Sequence, residues 1–191
     1  TCLLKIPTKK EMSRTGYTFK GWSLTPNDTG TYYDADTNWN NVSVSVDNKD
    51  VCISDAGVGN IEFNLYAIWK ANEYKVTLDQ QGGSGGTITI TATYDSAMPT
   101  ITVPSKFGYT FEGYYDSSGT KYYNANGTSA RNWDKDSIAT LYAQWTPYTY
   151  TLTLKGNGGT TKDNQKTITE SGSYDSTLTL ESKPFTRSGY I

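Results

Sequence analysis

The side chains that could do chemistry in this sequence are aromatic rings, carboxylates and two cysteines. The 191 residues include 16 Tyr, 5 Trp and 5 Phe but no His. Without histidine, the usual Ser-His-Asp and Cys-His arrangements that activate a nucleophile are excluded. A pair of carboxylates could hydrolyse a glycosidic bond, but the separation of two carboxylates cannot be read from sequence. The composition therefore predicts a protein that is not an enzyme and needs no cofactor.

Six aromatic residues stand at corresponding places in two parts of the chain. Exposed rings there could stack on a carbohydrate or on a peptide. Buried rings would instead form the core or contacts between units, and the large area that each ring buries favours this structural role. The candidate ligand-binding aromatics are Tyr32, Tyr33, Trp39, Tyr122, Tyr123 and Trp133.

An acidic cluster and the cysteines suggest two further kinds of site. Asp28, Asp34 and Asp36 offer the oxygen ligands that calcium prefers. Their spacing fits no EF-hand loop, and asparagines replace two of them in the next unit, so no metal site is predicted. Cys2 and Cys52 are too few, without histidine, to hold zinc. They are either a disulfide formed in an oxidising compartment or two partly buried thiols.

Charge and hydropathy exclude two classes of partner. Seventeen basic and nineteen acidic residues give a net charge of -2, without a basic run. The electrostatic footprint of a nucleic-acid-binding protein is therefore absent. No apolar stretch approaches the roughly 20 residues that span a bilayer, so membrane insertion is not expected.

Internal repeats organise the sequence. LYAIWKANEYKVTL, which begins at Leu65, matches LYAQWTPYTYTLTL, which begins at Leu141, without a gap. GYTFKGW recurs as GYTFEGY, SGYI stands where this motif would begin again, and TYDS returns as SYDS in the same order. A fixed order of matching motifs is the signature of a repeat array.

Alignment of these motifs predicts three repeats. The first covers residues 1–71, lacks an opening hairpin and carries an insertion near 40–59. Residues 72–146 form a complete second repeat, and residues 147–191 form a truncated third one. Alternating valines in the insertion predict an additional hairpin there.

Strands dominate the predicted secondary structure. Alternating apolar residues predict a hairpin that starts near Tyr74 and another that starts near Tyr150. Gly16 and Gly108 each precede Tyr-Thr-Phe, where a turn with positive φ is expected before a strand. No long helical period occurs, and only short helical turns are expected, with Thr8–Arg14 and Ser129–Ser137 as the best candidates because small polar residues there could cap a single turn.

Taken together, Y-x-V-T-L-x-x-x-G-G, a GYTFxGW element and a closing LYAxW resemble the Listeria-Bacteroides repeat, also called the internalin B-type B-repeat. The resemblance covers almost the whole chain apart from the insertion, and Tyr114 stands where the motif usually has Trp. The residues that carry the repeat motif are Gly16, Tyr17, Phe19, Gly21, Trp22, Leu65, Tyr66, Trp69, Gly108, Tyr109, Phe111, Gly113, Tyr114, Leu141, Tyr142 and Trp145.

The resemblance implies a mainly β module of the α+β, β-grasp-like kind, repeated in an elongated array in extracellular bacterial proteins. It implies a spacer or stalk at the cell envelope and a role in adhesion, with neighbouring repeats as partners and a host or glycan ligand as a further candidate. Because the first and third predicted repeats are complementary in content, head-to-tail self-association is also expected as a hypothesis.

Overall fold

The fold consists of β-strands and loops. The computed structural model describes residues 12–23, 25–26, 32–34, 43–46, 49–52 and 64–190. No helix occurs in these ranges, and the predicted mainly β class is confirmed. The strands are β1 Tyr17–Ser23, β2 Tyr32–Asp34, β3 Ser43–Val46, β4 Lys49–Cys52, β5 Tyr66–Ala71, β6 Glu73–Asp79, β7 Thr89–Thr93, β8 Tyr109–Tyr115, β9 Lys121–Tyr123, β10 Ala139–Pro147, β11 Thr149–Lys155 and β12 Thr167–Ser173.

Strands β1, β2 and β5 form an antiparallel sheet in the order β2-β1-β5. The register between β1 and β5 shifts between Phe19 and Gly21, so β1 carries a β-bulge there. Gly21 has φ of +154°, which a residue with a side chain rarely adopts. A bulge of this kind bends the strand and re-aims its end.

A five-stranded sheet contains the strands of residues 73–147, in the order β7-β6-β10-β8-β9. Its β8–β10 pair repeats the bulge, with a register shift between Phe111 and Gly113. Gly113 has φ of +131°, and a methyl group added there would overlap the carbonyl oxygen of Tyr123. The hairpin predicted from Tyr74 onward is confirmed as β6 and β7, which are neighbours in this sheet.

Two further hairpins are two-stranded. Strands β11 and β12 pair from Thr149↔Ser173 to Lys155↔Thr167, which confirms the hairpin predicted from Tyr150 onward. Strands β3 and β4 pair from Ser43↔Cys52 to Val46↔Lys49, so the insertion does contain the additional hairpin.

The segment Ser129–Ser137 is not a helical turn, and that prediction is wrong. The other candidate, Thr8–Arg14, lies mostly outside the described residues. Its backbone forms isolated bridges instead, one of them between Trp133 and Tyr94. The Trp133 N–H donates to the Ser96 carbonyl, and the Trp133 carbonyl accepts from the Asp95 N–H, each at 2.9 Å. These bonds occupy the groups that a helical turn would have used.

The described residues divide into two compact units. One contains the residues up to Lys75 together with Thr91–Ala97 and Asn132–Ala139. The other contains Val76–Ile90, Met98–Arg131 and the residues from Thr140 onward. The boundaries of the three sequence repeats, the β-grasp-like arrangement, the elongated array and head-to-tail association stay predictions. Within the described ranges, no helix is long and apolar enough to cross a membrane.

Candidate functional site

The aromatic residues proposed as ligand contacts lie in the core where the structure describes them. Tyr122 is 1% exposed, and Tyr123 and Trp133 are fully buried. A buried ring presents no face to a ligand, so the ligand-binding alternative does not hold for these three residues. Their burial fits the structural role that the sequence favoured.

The remaining candidates are described less fully. Tyr32 and Tyr33 lie in β2, of which only the backbone is described, and Trp39 lies outside the described residues. The same limit applies to the cysteines, because Cys2 is outside and Cys52 is described only as the last residue of β4. The disulfide therefore stays a prediction. In the part of the chain that is described, no group of three or more His, Cys, Asp or Glu residues could hold a metal ion.

The repeat motif builds the same aromatic cluster twice. In the first sheet, the Phe19 ring lies 5.4 Å from the Trp22 ring and 5.3 Å from the Trp69 ring. In the five-stranded sheet, the corresponding Phe111 lies 5.2 Å from Tyr114 and 5.3 Å from Trp145, ring centre to ring centre. Each bulge places the last aromatic residue of GYTFxG(W/Y) on the same side of the sheet as the Phe. The resulting edge-on contacts between the rings stabilise the sheet.

Motif residues also form part of the core of the five-stranded sheet. Tyr114 and Leu141 are fully buried, and Phe111 is nearly so. The indole N–H of Trp145 donates to the carbonyl oxygen of Gln80 at 3.0 Å. This bond ties the end of β10 to the turn that follows β6 and gives the polar edge of a large ring a partner.

A second recurring arrangement joins the start of GYTF to a Tyr-Asp turn further along the chain. We call it the first joint where it involves Gly16, Tyr17, Asn72, Tyr94 and Asp95. The Asn72 N–H donates to the Gly16 carbonyl, and the Tyr94 N–H donates to the Asn72 carbonyl, each at 2.9 Å. The Tyr94 ring contacts the Tyr17 ring edge-on at 5.6 Å, and the Tyr17 hydroxyl donates to Asp95 Oδ2 at 2.8 Å.

The second joint repeats this geometry with Gly108, Tyr109, Tyr148, Tyr174 and Asp175. The Tyr148 N–H donates to the Gly108 carbonyl and the Tyr174 N–H to the Tyr148 carbonyl, each at 2.8 Å. The Tyr174 and Tyr109 rings meet edge-on at 5.6 Å, and the Tyr109 hydroxyl donates to Asp175 Oδ2 at 2.9 Å. Two separate stretches of the sequence therefore form contacts with the same geometry.

Both joints depend on a glycine without a side chain. Gly16 has φ of +76° and Gly108 has φ of +78°, which confirms the positive φ predicted for these turns. A methyl group at Gly16 would overlap the Tyr94 ring, and one at Gly108 would overlap the Tyr174 ring. Glycine is thus needed twice over, for the backbone conformation and for the close approach of the ring.

The hydrogen bond to aspartate raises the pKa of Tyr17 and of Tyr109 above its ordinary value, with smaller contributions from burial and from the negative charge of the aspartate. Among the residues of the joints, sequence analysis singled out only the Gly-Tyr half. The Tyr-Asp residues could have been found from the recurrence of TYDS as SYDS, but in the sequence analysis this recurrence indicated only that the chain contains repeats.

Comparison with known proteins gives these repeated features a family. The sequence profile of the Listeria-Bacteroides repeat domain matches residues 4–46 and 74–144, which include the first GYTFKGW motif and most of the five-stranded sheet. The chain belongs to the Listeria-Bacteroides repeat family. The resemblance stated from the sequence motifs is thereby confirmed.

Its relatives are much longer bacterial proteins. Internalin H of Listeria monocytogenes is 32% identical over 170 residues, which are 82% of this chain and 25% of internalin H. Two proteins of Evansella cellulosilytica are also similar: a Gly-rich protein named as a membrane protein, 25% identical over 159 residues, and another named as a membrane protein, 32% identical over 130 residues. These matches cover 82% and 66% of this chain but only 16% and 18% of the two relatives. No solved structure matches.

The family relationship shows the general kind of protein segment to which this chain belongs. This chain is a repeat segment of the kind that bacterial surface proteins such as internalin H carry. Because it spans a quarter or less of these relatives, the activity and the partners of a whole protein are a matter for proposal.

Proposed function

We propose that this segment is a non-catalytic, extracellular part of a bacterial surface protein and that it acts as a spacer or stalk at the cell envelope. The observation that supports the proposal is that corresponding residues form the same joint at two places, Gly16–Tyr17 and Gly108–Tyr109. A protein that repeats one neighbour contact gains length by adding units, without a new interface for each. Such an array suits a role in which distance matters more than a single assembled pocket.

Surface display with different numbers of repeats tests the spacer role. A short epitope tag would be anchored to a bacterial surface through one, two or four copies of residues 72–146, and antibody access to the tag would be measured. Access should rise with copy number, and an unrelated folded repeat array of equal length should give the same rise. Access that does not change with copy number would contradict the proposal.

The same display strains test a role in adhesion. We propose that the repeats contribute to adhesion only indirectly, by holding another, ligand-binding part of the protein away from the cell surface. Cells that display the repeats without any other domain should bind host cells and glycans no better than cells that display the unrelated array. Specific binding by the repeats alone would show that they carry a ligand site of their own.

A further inference from the structure

A third Gly-Tyr step, at Gly189–Tyr190, has the conformation of the two steps in the joints. Gly189 has φ of +80°, against +76° at Gly16 and +78° at Gly108. The Tyr190 N–H donates to the Arg187 carbonyl at 3.2 Å. The same turn occurs before the other two steps, where the Tyr17 N–H donates to the Arg14 carbonyl at 3.0 Å and the Tyr109 N–H to the Lys106 carbonyl at 3.1 Å.

A cationic side chain lies over the tyrosine ring in all three steps. The distance from the cation to the ring centre is 3.8 Å for Arg14 over Tyr17, 4.5 Å for Lys106 over Tyr109 and 4.1 Å for Arg187 over Tyr190. Such a contact fixes the ring in place. The third step is therefore preformed in the geometry of the other two.

The third step differs in what lies against it. A methyl group at Gly189 would meet no atom within 4 Å, whereas at Gly16 and Gly108 it would overlap a tyrosine ring. Tyr190 is 67% exposed, whereas Tyr17 and Tyr109 are partly buried. Among the described residues, then, the surface that holds a ring in both joints is open at Gly189.

We propose that Gly189–Tyr190 is a docking surface for the Tyr-Asp end of a β-hairpin. The incoming tyrosine ring lies on Gly189, and the incoming aspartate accepts a hydrogen bond from the Tyr190 hydroxyl. The chain itself shows this ligand chemistry twice, at Gly16–Tyr17 and at Gly108–Tyr109. The proposal does not depend on the spacer role, because it concerns only what this surface recognises.

The two bound turns define the partner more closely. Asp95 and Asp175 both have φ of +58°, so each aspartate occupies the left-handed conformation that it tolerates better than most residues. The Ser96 N–H donates to the Thr93 carbonyl at 3.1 Å, and the Ser176 N–H donates to the Ser173 carbonyl at 3.0 Å. The recognised element is thus a tight Tyr-Asp-Ser turn that follows the second strand of a hairpin.

The partner must be a further hairpin of this type. Tyr94–Asp95 and Tyr174–Asp175 are already bound in the first and second joints. A hairpin of the same design also brings the start of its first strand, since the N–H groups of Asn72 and Tyr148 donate to the glycine carbonyls. The carbonyl of Gly189 is the acceptor that corresponds to those of Gly16 and Gly108.

A lengthened chain tests the proposal directly. A second copy of Tyr109–Ser176 placed after Gly189 supplies the hairpin with its Tyr-Asp end. Gly189→Ala would then be compared in the original and the lengthened chain by thermal unfolding, with Gly119→Ala as the control. Gly119 has φ of +86° and no atom within 4 Å of an added methyl group, so it reports backbone strain without a ring contact.

In the original chain, Gly189→Ala should lower the melting temperature no more than Gly119→Ala does. In the lengthened chain, Gly189→Ala should lower it as much as Gly108→Ala does, by about 2–4 °C or more beyond the control. Replacing the tyrosine of the added Tyr-Asp turn by Ala should abolish the difference between the two chains. Equal effects of Gly189→Ala in both chains would overturn the proposal, and so would full retention of the difference after that tyrosine is replaced.

Discussion

At the scale of the residue, burial decides which aromatic residues belong to the fold. Trp133 is fully buried, whereas Phe107 is 86% exposed. Trp133→Ala should therefore lower the free energy of unfolding by about 3–5 kcal/mol, because it removes a large core side chain and leaves a cavity. Phe107→Ala, the matched control, should cost far less. Unfolding in urea measures both, and an unchanged stability of Trp133→Ala would contradict a core role for this ring.

Removal of the Tyr114 hydroxyl tests how an unpaired buried polar group affects stability. Tyr114 is fully buried, and its hydroxyl has no hydrogen-bond partner among the described residues. Burial, with a smaller contribution from Asp79, raises the pKa of Tyr114 to about 12. Because an unpaired buried hydroxyl is costly, Tyr114→Phe should raise the free energy of unfolding by about 1 kcal/mol.

Tyr123→Phe is the matched control for that change. Tyr123 is equally buried, but its hydroxyl donates to the Pro99 carbonyl at 2.8 Å. Removing it should lower the free energy of unfolding by about 1 kcal/mol, since the carbonyl then loses its partner. If both variants changed stability in the same direction, the hydrogen-bond argument would fail.

The residues of the joints show how far sequence reasoning reaches at this scale. Gly16 and Gly108 were predictable, because a glycine before a strand indicates positive φ. Their contacts with Tyr94 and Tyr174 were not, because these rings lie more than 60 residues further along the chain and no local periodicity links them. Only the recurrence of TYDS as SYDS indicated that those residues had a role.

At the scale of the element, two hairpins of similar sequence have different surroundings. Strand β6 has a neighbour on both edges in the five-stranded sheet, and Val76 and Leu78 are 0% and 2% exposed. Strand β11 pairs with β12 alone among the described strands, and its Leu152 is 36% exposed. An isolated hairpin is marginally stable in water.

Hydrogen exchange should therefore separate these hairpins. Amide protons of β6 should exchange only with cooperative opening of the sheet, whereas those of β11 should exchange faster through local opening. NMR-detected exchange at Val76 and at Leu152 provides the matched comparison. Equal protection at the two positions would mean that β11 is covered by something beyond its pairing with β12.

The elements themselves were largely predictable, but their partners were not. Alternation of apolar residues identified the hairpins from Tyr74, from Tyr150 and within the insertion. The same reasoning missed the bridges around Trp133, because the small polar residues that can cap a helical turn are also common in loops. Sheet order, with β10 between β6 and β8, depends on long-range pairing that one sequence does not encode locally.

At the scale of the whole molecule, the absence of histidine and the abundance of tyrosine predict an unusual dependence of stability on pH. No side chain with an ordinary pKa titrates between about pH 5.5 and 7 when histidine is lacking. The free energy of unfolding should accordingly stay flat across that range.

Above pH 10 the tyrosines should dominate. Burial raises the pKa of Tyr123 and Tyr114, and hydrogen bonds to aspartate raise that of Tyr17 and Tyr109. In the unfolded chain these phenols ionise near pH 10, so the folded state then holds more protons and stability falls as pH rises. Their contribution is fully present below about pH 10 and is lost progressively towards pH 12 and above.

Thermal unfolding at pH 6, 7, 10 and 11 measures this profile. The melting temperature should agree at pH 6 and 7 and decrease at the two higher values. A variant with Tyr114→Phe and Tyr123→Phe should lose less stability between pH 10 and 11 than the original chain, because phenylalanine carries no proton to release. Parallel losses in the two chains would assign alkaline unfolding to groups other than these buried tyrosines.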